Sequence, residues 1–564
     1  MKPSAPFLSQ APFSLDAGSV EWVESSLAGL SIEQKVGQLF CVYLKSTDMD
    51  EWTGWLAERG IQPGGMMMIS RPRNAARRDV TALQAWSPLP LLIAGNLESG
   101  AVNFLDDTEA FANPLQVAAT NDVINAERLA IHCARAANEI GINWAFAPVV
   151  DIAVNPHNPI VNTRSFGRDP EVVATMGARY ISTLEDRGIA TSTKHFPGDG
   201  VDDRDQHLVT TSNDLDASTW RSTFGAVYRR AIAAGTRTIM VGHIRQRALS
   251  RELRPGVGDS EILPATLSAD LVTGVLRGEL GFNGLIVSDN TAMAGYTSVM
   301  PRESALPLSI NSGLDMILGN VDLEVDYSIL LAAASSGEIP PERLDDAVRR
   351  VLATKASIGL HRRIDRDDAE QPMVREENGW RNQLAETSVT LVKDTQKLLP
   401  LSAGQHRRAL VVVLGDEPTF YDPSGPFAPQ FIDGLRERGL DVDVRTVPGP
   451  PTTAAEADRL HERYDLCIYF ANVRFVGNSN SLRLTWTPWQ GFDAPRHVAT
   501  LPTVLVSIAD PYLLQDVPMI KTALNGYTPT PATVAAVVRV LFGEIPAVGV
   551  SPMDPFAGHW DAAL

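Results

Sequence analysis

The chain has 564 residues, 44% of them hydrophobic, and a formal net charge of −18. That charge argues against a nucleic-acid or anionic-membrane partner, and an anionic substrate would need a local basic pocket. The length suits two domains, each with its own core. Cys41, Cys133 and Cys467 lack the paired spacing of a zinc or redox motif and read as buried small hydrophobes in a reducing compartment. The segment from Met1 to Pro6 lacks the apolar core of a signal peptide. No stretch approaches the roughly 20 apolar residues of a membrane span, so a cytoplasmic location is expected.

In chain order, Ser31, Ile32, Glu33 and Gln34 form a capping box ahead of the apolar run Val36 to Tyr43. Strand-like runs follow at 65–69, 89–94, 142–150, 189–193, 238–242, 284–287 and 315–318. Helical periodicity lies between most of them, as over 121–140 and 172–186. This alternation predicts a (β/α)8 TIM-like barrel over residues 1–355. Residues 356–385, with a charged, turn-rich stretch from His361 to Trp380, read as a linker. Residues 386–564 predict a smaller α/β domain of the doubly wound kind. Its strands are expected at 409–414, 442–447, 466–470 and 503–507, and its helices at 429–438 and 532–542. Gly415-Asp416-Glu417 follows the first of these strands without a glycine-rich dinucleotide fingerprint.

Polar side chains gather at the expected C-terminal ends of the barrel strands, where such a barrel carries its chemistry. One strand runs into Ser192-Thr193-Lys194-His195-Phe196-Pro197-Gly198-Asp199-Gly200, followed by Asp205-Gln206-His207. Asn96 and Glu98 end the third strand, Asp151 the fourth and His243 the sixth. Leu285 to Asn290 ends the next strand with Asp289, which reads either as a nucleophile or as a cap for the following helix. Arg164 suits paired hydrogen bonds to hydroxyls or an anion, or a surface salt bridge. Asp205 and His207 share one face of an extended loop, as a dyad or a structural ion pair. His195, Asp199, Asp202, Asp203, Asp205 and His207 also allow reading as a metal cluster, though without tight ligand spacing.

The combination of Lys194-His195-Phe196-Pro197-Gly198, Asp205 and His207, then Ser288-Asp289 after Leu285-Ile286-Val287, resembles family 3 glycoside hydrolases. The branch it resembles is typified by β-N-acetylglucosaminidases and includes phosphorylases. Ser388 to Lys393 with Leu398 to Leu401 resembles the opening of that family's second domain. The resemblance implies a retaining double displacement through a glycosyl-Asp289 intermediate, with His207 as acid/base and Asp205 as its partner. It implies that Lys194, His195 and Arg164 hold the sugar, with Asn96, Glu98, Asp151, Gln206 and His243 as further candidate contacts. It implies no cofactor or metal, and a small carbohydrate as substrate.

An incoming phosphate bears on the choice of acceptor. A carboxylate base would repel it by about 4 kcal/mol at about 4 Å and an effective dielectric of about 20. A neutral imidazole avoids that repulsion, which favours inorganic phosphate as co-substrate and sugar 1-phosphate as product. Hydrolysis by the same dyad is the alternative, and a non-catalytic sugar-binding protein the alternative of another class.

Four departures from the family pattern refine this. Asn290 stands where a second Asp is usual, removing a charge near the acceptor. Asn96-Leu97-Glu98 replaces a motif that usually begins with Asp, and Asp199 replaces a common His. Gln206 stands where N-acetylglucosaminidases carry Ser; a longer amide filling the acetamido volume predicts a preference for β-glucosides over N-acetylglucosaminides. Candidate phosphate contacts are Asn290, Arg474 and Arg483. The two arginines fall with Asn478 and Asn480 in a polar stretch that reads as a loop reaching the barrel mouth or as a solvated surface loop. Trp486 and Trp489 suit stacking on an aglycone or packing between domains.

Overall fold

A computed structural model describes residues 6–362, 374–418, 424–449, 453–474, 477–486, 491 and 493–564. Residues 363–373 of the expected linker, and Trp489, lie outside the described residues. The chain forms two compact units, neither continuous in sequence: 1–108, 130–152 and 173–371, and 109–129, 153–172 and 372–564. The inserts 109–129 and 153–172, which the sequence places with the barrel, thus group with the second unit.

The first unit is a nearly closed, eight-stranded parallel barrel with helices. Its strands are β1 (Phe40–Tyr43), β2 (Gly65–Met67), β3 (Leu92–Gly95), β4 (Trp144–Ala145), β5 (Ala190–Phe196), β6 (Thr238–Val241), β7 (Leu285–Ser288) and β8 (Ile317–Leu318). They neighbour one another in chain order, and β1 pairs with β8. A parallel bridge between Val287 and Met316 brings β7 to the approach of β8. Cys41, Met67, Leu92, Trp144, Met240, Val287 and Met316 fill the interior with Val351 from helix Pro341–Ser357. The buried Trp144 indole donates to Thr238 Oγ1 at 2.9 Å, so no polar atom of the ring is stranded there.

The Ser31 capping box forms as expected, with Gln34 N–H donating to Ser31 Oγ and Ser31 N–H to Gln34 Oε1. The strand expected over 142–150 is regular only at Trp144–Ala145, because Pro148 has no N–H to give the ladder. The pairing resumes past it, where Val150 N–H donates to the Lys194 carbonyl at 2.9 Å. This sets Asp151 beside the end of β5.

The second unit holds a six-stranded sheet of β9 (Thr390–Asp394), β10 (Arg408–Leu414), β11 (Asp441–Val447), β12 (Leu466–Ala471), β13 (Thr503–Ser507) and β14 (Thr522–Asn525). The order is β9-β14-β13-β12-β10-β11, parallel except for the β9–β14 pair. Val411, Val413, Ile468, Phe470 and Val504 pack on one face, and Leu410, Val412, Tyr469 and Leu505 on the other. Burial on both faces is what a doubly wound parallel sheet requires. The later part of the expected linker is helix Val374–Ser388, whose first turn carries Glu376 and Glu377 where the helix dipole favours acids. All three cysteines are buried, and none is in a disulfide. Among the described residues, no helix is long and apolar enough to cross a membrane.

Candidate active site

All seven residues of β5 are buried. Its register against β6 shifts between Thr193 and Phe196, and such an irregularity re-aims side chains at a strand end. Lys194 Nζ lies 2.7 Å from Glu98 Oε1 and donates to Asn96 Oδ1 at 3.2 Å. Two β3-end residues, Glu98 and the Asn96 that stands where Asp is usual, therefore hold this buried ammonium, which needs a paired carboxylate to stay charged. Tyr180 supports their turn from below by donating its hydroxyl to the Leu97 carbonyl.

His195 is fixed twice by Asp151: its backbone N–H donates to Oδ1 at 3.0 Å, and its ring Nδ1 lies 2.7 Å from Oδ2. Asp199 N–H also donates to Asp151 Oδ1, at 2.8 Å. Asp151 is fully buried, and these donors compensate its desolvation. With Nδ1 bound to the carboxylate, Nε2 is turned to the nucleophile side, 3.9 Å from Asp289 Oδ2.

Asp289 follows β7, and its backbone N–H donates to the Val241 carbonyl at 2.8 Å. Its Oδ1 accepts from Asn290 N–H at 2.7 Å. Burial pushes this carboxyl up, but the imidazoles of His195, His243 and His207, with the Asn290 N–H, outweigh it and hold Asp289 below the usual carboxylate range. An ionised carboxylate is the form a nucleophile needs. The helix-cap reading of Asp289 has no support here, since the next helix, Ala294–Thr297, begins five residues on with no side-chain cap.

Asp205 and His207 form the expected pair. Asp205 is fully buried, its Oδ1 lies 2.6 Å from His207 Nδ1, and it accepts from His207 N–H at 2.7 Å. The His207 side chain keeps 26% exposure. Nδ1 is committed to the carboxylate, which leaves Nε2 as the ring nitrogen outside that bond.

Two residues expected to touch sugar instead sit behind the site. His243 is fully buried, with Nε2 donating to the Asn290 carbonyl and Nδ1 meeting Thr266 Oγ1, each at 3.0 Å. Burial holds its pKa down. Gln206 is also fully buried; its Oε1 accepts from His243 N–H at 2.9 Å, and its Nε2 donates to Asp199 Oδ2 at 3.4 Å. Residues 206–208 form a turn, with the Leu208 and Val209 N–H groups on the Asp205 carbonyl, and this turn, not the alternation of an extended loop, brings His207 back to Asp205.

Arg164, Arg474 and Arg483 belong to the second unit. Arg164 ends the turn Asn162–Arg164 and donates to the Ile160 carbonyl at 3.4 Å. Arg474 donates to the Glu417 and Ser424 carbonyls, and Arg483 pairs with Asp516. Among the described residues, no three His, Cys, Asp or Glu side chains converge as a metal-holding group. Asp202 is engaged by Arg204 and Ser212 N–H instead.

An ionised carboxylate beside a carboxylate-backed imidazole, at the C-terminal end of a parallel barrel, defines a centre for glycosyl transfer. Residues 31–354 match the glycosyl hydrolase family 3 N-terminal domain. The chain is 42% identical to a β-N-acetylglucosaminidase/β-glucosidase of Cellulomonas fimi, over 99% of this chain and 100% of the relative. The structure is similar to that of a β-glucoside phosphorylase, BglX, with TM-score 0.91 and 38% identity over 99% of each chain. A family 3 β-N-acetylglucosaminidase from Paenibacillus sp. str. FPU-7 has TM-score 0.79 at 25% identity, covering 93% of this chain and 99% of that one. The chain belongs to glycosyl hydrolase family 3 and is an enzyme of its β-glycosidase class.

Proposed function

We propose that the enzyme is a retaining β-glycoside phosphorylase acting on β-glucosides. The observation that carries this reading is the acid/base group: an imidazole held by a buried carboxylate, rather than a carboxylate facing the acceptor. In the first step Asp289 attacks the anomeric carbon, the bond to the aglycone oxygen breaks, and His207 Nε2 gives that oxygen its proton. Lys194 and His195 hold the sugar. In the second step an oxygen of hydrogen phosphate attacks the same carbon and the ester bond to Asp289 breaks. The carboxylate is regenerated, sugar 1-phosphate leaves, and the proton carried by the phosphate returns to Nε2.

Asn290 supports the same acceptor. Its Oδ1 accepts from Ala292 N–H at 3.0 Å, and among the described residues its Nδ2 has no acceptor. A neutral donor therefore stands next to the nucleophile where a second carboxylate would repel an anion. Likeness to the β-glucoside phosphorylase extends over nearly the whole chain, which favours glucosides. The C. fimi relative, named for both sugars, favours N-acetylglucosaminides as the second substrate to assay. A cytoplasmic setting, where phosphate is available, fits three cysteines outside any disulfide.

The test follows an activated aryl β-glucoside, and the matching N-acetylglucosaminide, with and without inorganic phosphate, identifying the sugar product by mass. Phosphate-dependent acceleration with accumulation of glucose 1-phosphate is expected. Release of free sugar at a rate indifferent to phosphate would make the enzyme a hydrolase.

A further inference from the structure

We propose that Gln206 is a positioning residue for the acid/base histidine, tying the loop that carries His207 to the strand ends that carry the nucleophile. The proposal rests on the reading of His207 as proton donor. Asp205 orients the imidazole, but Asp205 lies on the same loop, and the Leu208 and Val209 N–H groups that fold back on its carbonyl are local too. That bond fixes the ring within the loop and says nothing about the distance from loop to nucleophile. Proton transfer to a leaving oxygen needs that distance held to a fraction of an ångström.

Gln206 supplies a side-chain connection out of the loop in both directions. Its Oε1 takes the His243 N–H at the end of β6, and the His243 ring passes the restraint on by donating Nε2–H to the Asn290 carbonyl. Asn290 N–H in turn donates to Asp289 Oδ1. On the other side Gln206 Nε2 reaches Asp199 Oδ2, Asp199 N–H donates to Asp151, and Asp151 holds the His195 ring beside Asp289. The contacts close a ring that begins and ends on the nucleophile and has Gln206 as the member from the acid/base loop. Ala294 N–H, donating to the His207 carbonyl at 3.0 Å, and Thr210 Oγ1, donating to the Gly295 carbonyl at 2.7 Å, add backbone ties to the segment after β7.

The local backbone is built around this arrangement. A Cβ at Gly295 would come within 2.4 Å of the Gln206 carbonyl oxygen and 2.8 Å of that of Val209, so only glycine lets the segment after β7 close on the loop. A Cβ at Gly242 would stand 3.0 Å from Gln206 Oε1 itself. A fully buried amide with both ends engaged leaves an unmatched donor and acceptor when truncated, so its loss is felt where the loop is held.

Gln206→Met keeps the volume and removes both bonds; Gln206→Glu keeps the oxygen that accepts from His243. The measurement is kcat/KM on 2,4-dinitrophenyl and phenyl β-glucosides, or on the N-acetylglucosaminides if those are turned over, for both variants and for His207→Ala. A departing dinitrophenolate needs no proton, whereas phenolate departure is helped by one. The ratio of the two values is expected to rise at least tenfold in Gln206→Met, by less in Gln206→Glu, and most in His207→Ala. Equal losses on both substrates in Gln206→Met, with the ratio raised in His207→Ala, would overturn the positioning role. An unchanged ratio in His207→Ala would instead overturn the reading of His207 as proton donor. Should Gln206→Met not fold, Gly242→Ala, which crowds the same Oε1, takes its place in the comparison.

Discussion

Both parallel sheets end their strands in buried carboxylates, yet the two sets are used differently. In the second unit Asp416, after β10, accepts from Phe427 N–H, Ala428 N–H and Asn472 Nδ2 at 2.9, 2.6 and 2.8 Å. Asp510, after β13, accepts from Tyr512 N–H at 2.8 Å and Asn162 Nδ2 at 3.4 Å. These carboxylates order backbone and one asparagine amide each, and none of these bonds holds an imidazole. In the first unit Asp151 and Asp205 also order backbone, but each holds in addition an imidazole: the buried ring of His195, with Nε2 3.9 Å from Asp289 Oδ2, and the partly exposed ring of His207. Asp289 and His207 keep 13% and 26% of their side chains exposed. Buried polar strand ends thus mark chemistry when a satisfied carboxylate supports a second group that remains accessible to substrate.

The substitution that breaks this comparison hardest is Asp289→Asn, expected to lower kcat/KM by at least about 10^4-fold, as loss of a nucleophile does elsewhere. The matching change in the other sheet, Asp416→Asn, is expected to keep kcat/KM within about threefold and to lower the melting temperature, because it removes an acceptor that orders a helix start. Parallel kinetics and thermal melts of the two variants check the contrast. A large kinetic loss in Asp416→Asn would mean that the strand ends of the two units share one task.

A smaller effect sharpens the comparison through pH. Burial is the largest influence on Asp510 and pushes its carboxyl up to about 7, against 3.8 unperturbed. Asp516 adds to the rise, while Tyr512 N–H, Asn162 and Arg483 oppose it. Between those two values the folded state keeps a proton that the unfolded chain has lost. The contribution to stability is therefore present at low pH and is lost as pH rises toward 7. A tenfold change in proton affinity between the folded and unfolded chains corresponds to about 1.4 kcal/mol, so Asp510→Asn is expected to be more stable than the parent at pH 8 by up to a few kcal/mol. The difference should shrink below pH 5; denaturant unfolding at several pH values measures it, and a constant difference would contradict the buried-proton reading. Asp289 behaves oppositely, since its ionisation is favoured in the folded state.

The sequence makes the barrel, the second sheet and the Asp205, His207 and Asp289 constellation legible because each is written locally. Periodicity marks strands, and the close spacing keeps Asp205 and His207 together, though in a turn and not on one face of an extended loop. What it does not show is pairing across distance: Lys194 on β5 meets Glu98 after β3, two strands away, and His195 meets Asp151 after the adjacent β4, ties that spacing does not reveal. For the same reason Glu98, Asp151 and His243 read as sugar contacts although the structure uses them to hold other residues. Gln206 reads as a substrate contact because a polar residue inside a motif invites that role, whereas in the structure it is fully buried between His243 and Asp199. The inserts 109–129 and 153–172 carry no boundary signal, since helices Val123–Ile140 and Pro170–Glu185 run across the limits of the units.

The central claim, that sugar passes through a covalent bond to Asp289 and on to phosphate, is tested most directly by trapping it. Incubation with an activated 2-deoxy-2-fluoro β-glucoside, followed by peptide mass spectrometry, is predicted to place the sugar on Asp289, with inorganic phosphate hastening its release as the fluorinated sugar 1-phosphate. A label on another residue would contradict the assignment of the nucleophile, and a label on Asp289 released only by water would contradict phosphorolysis.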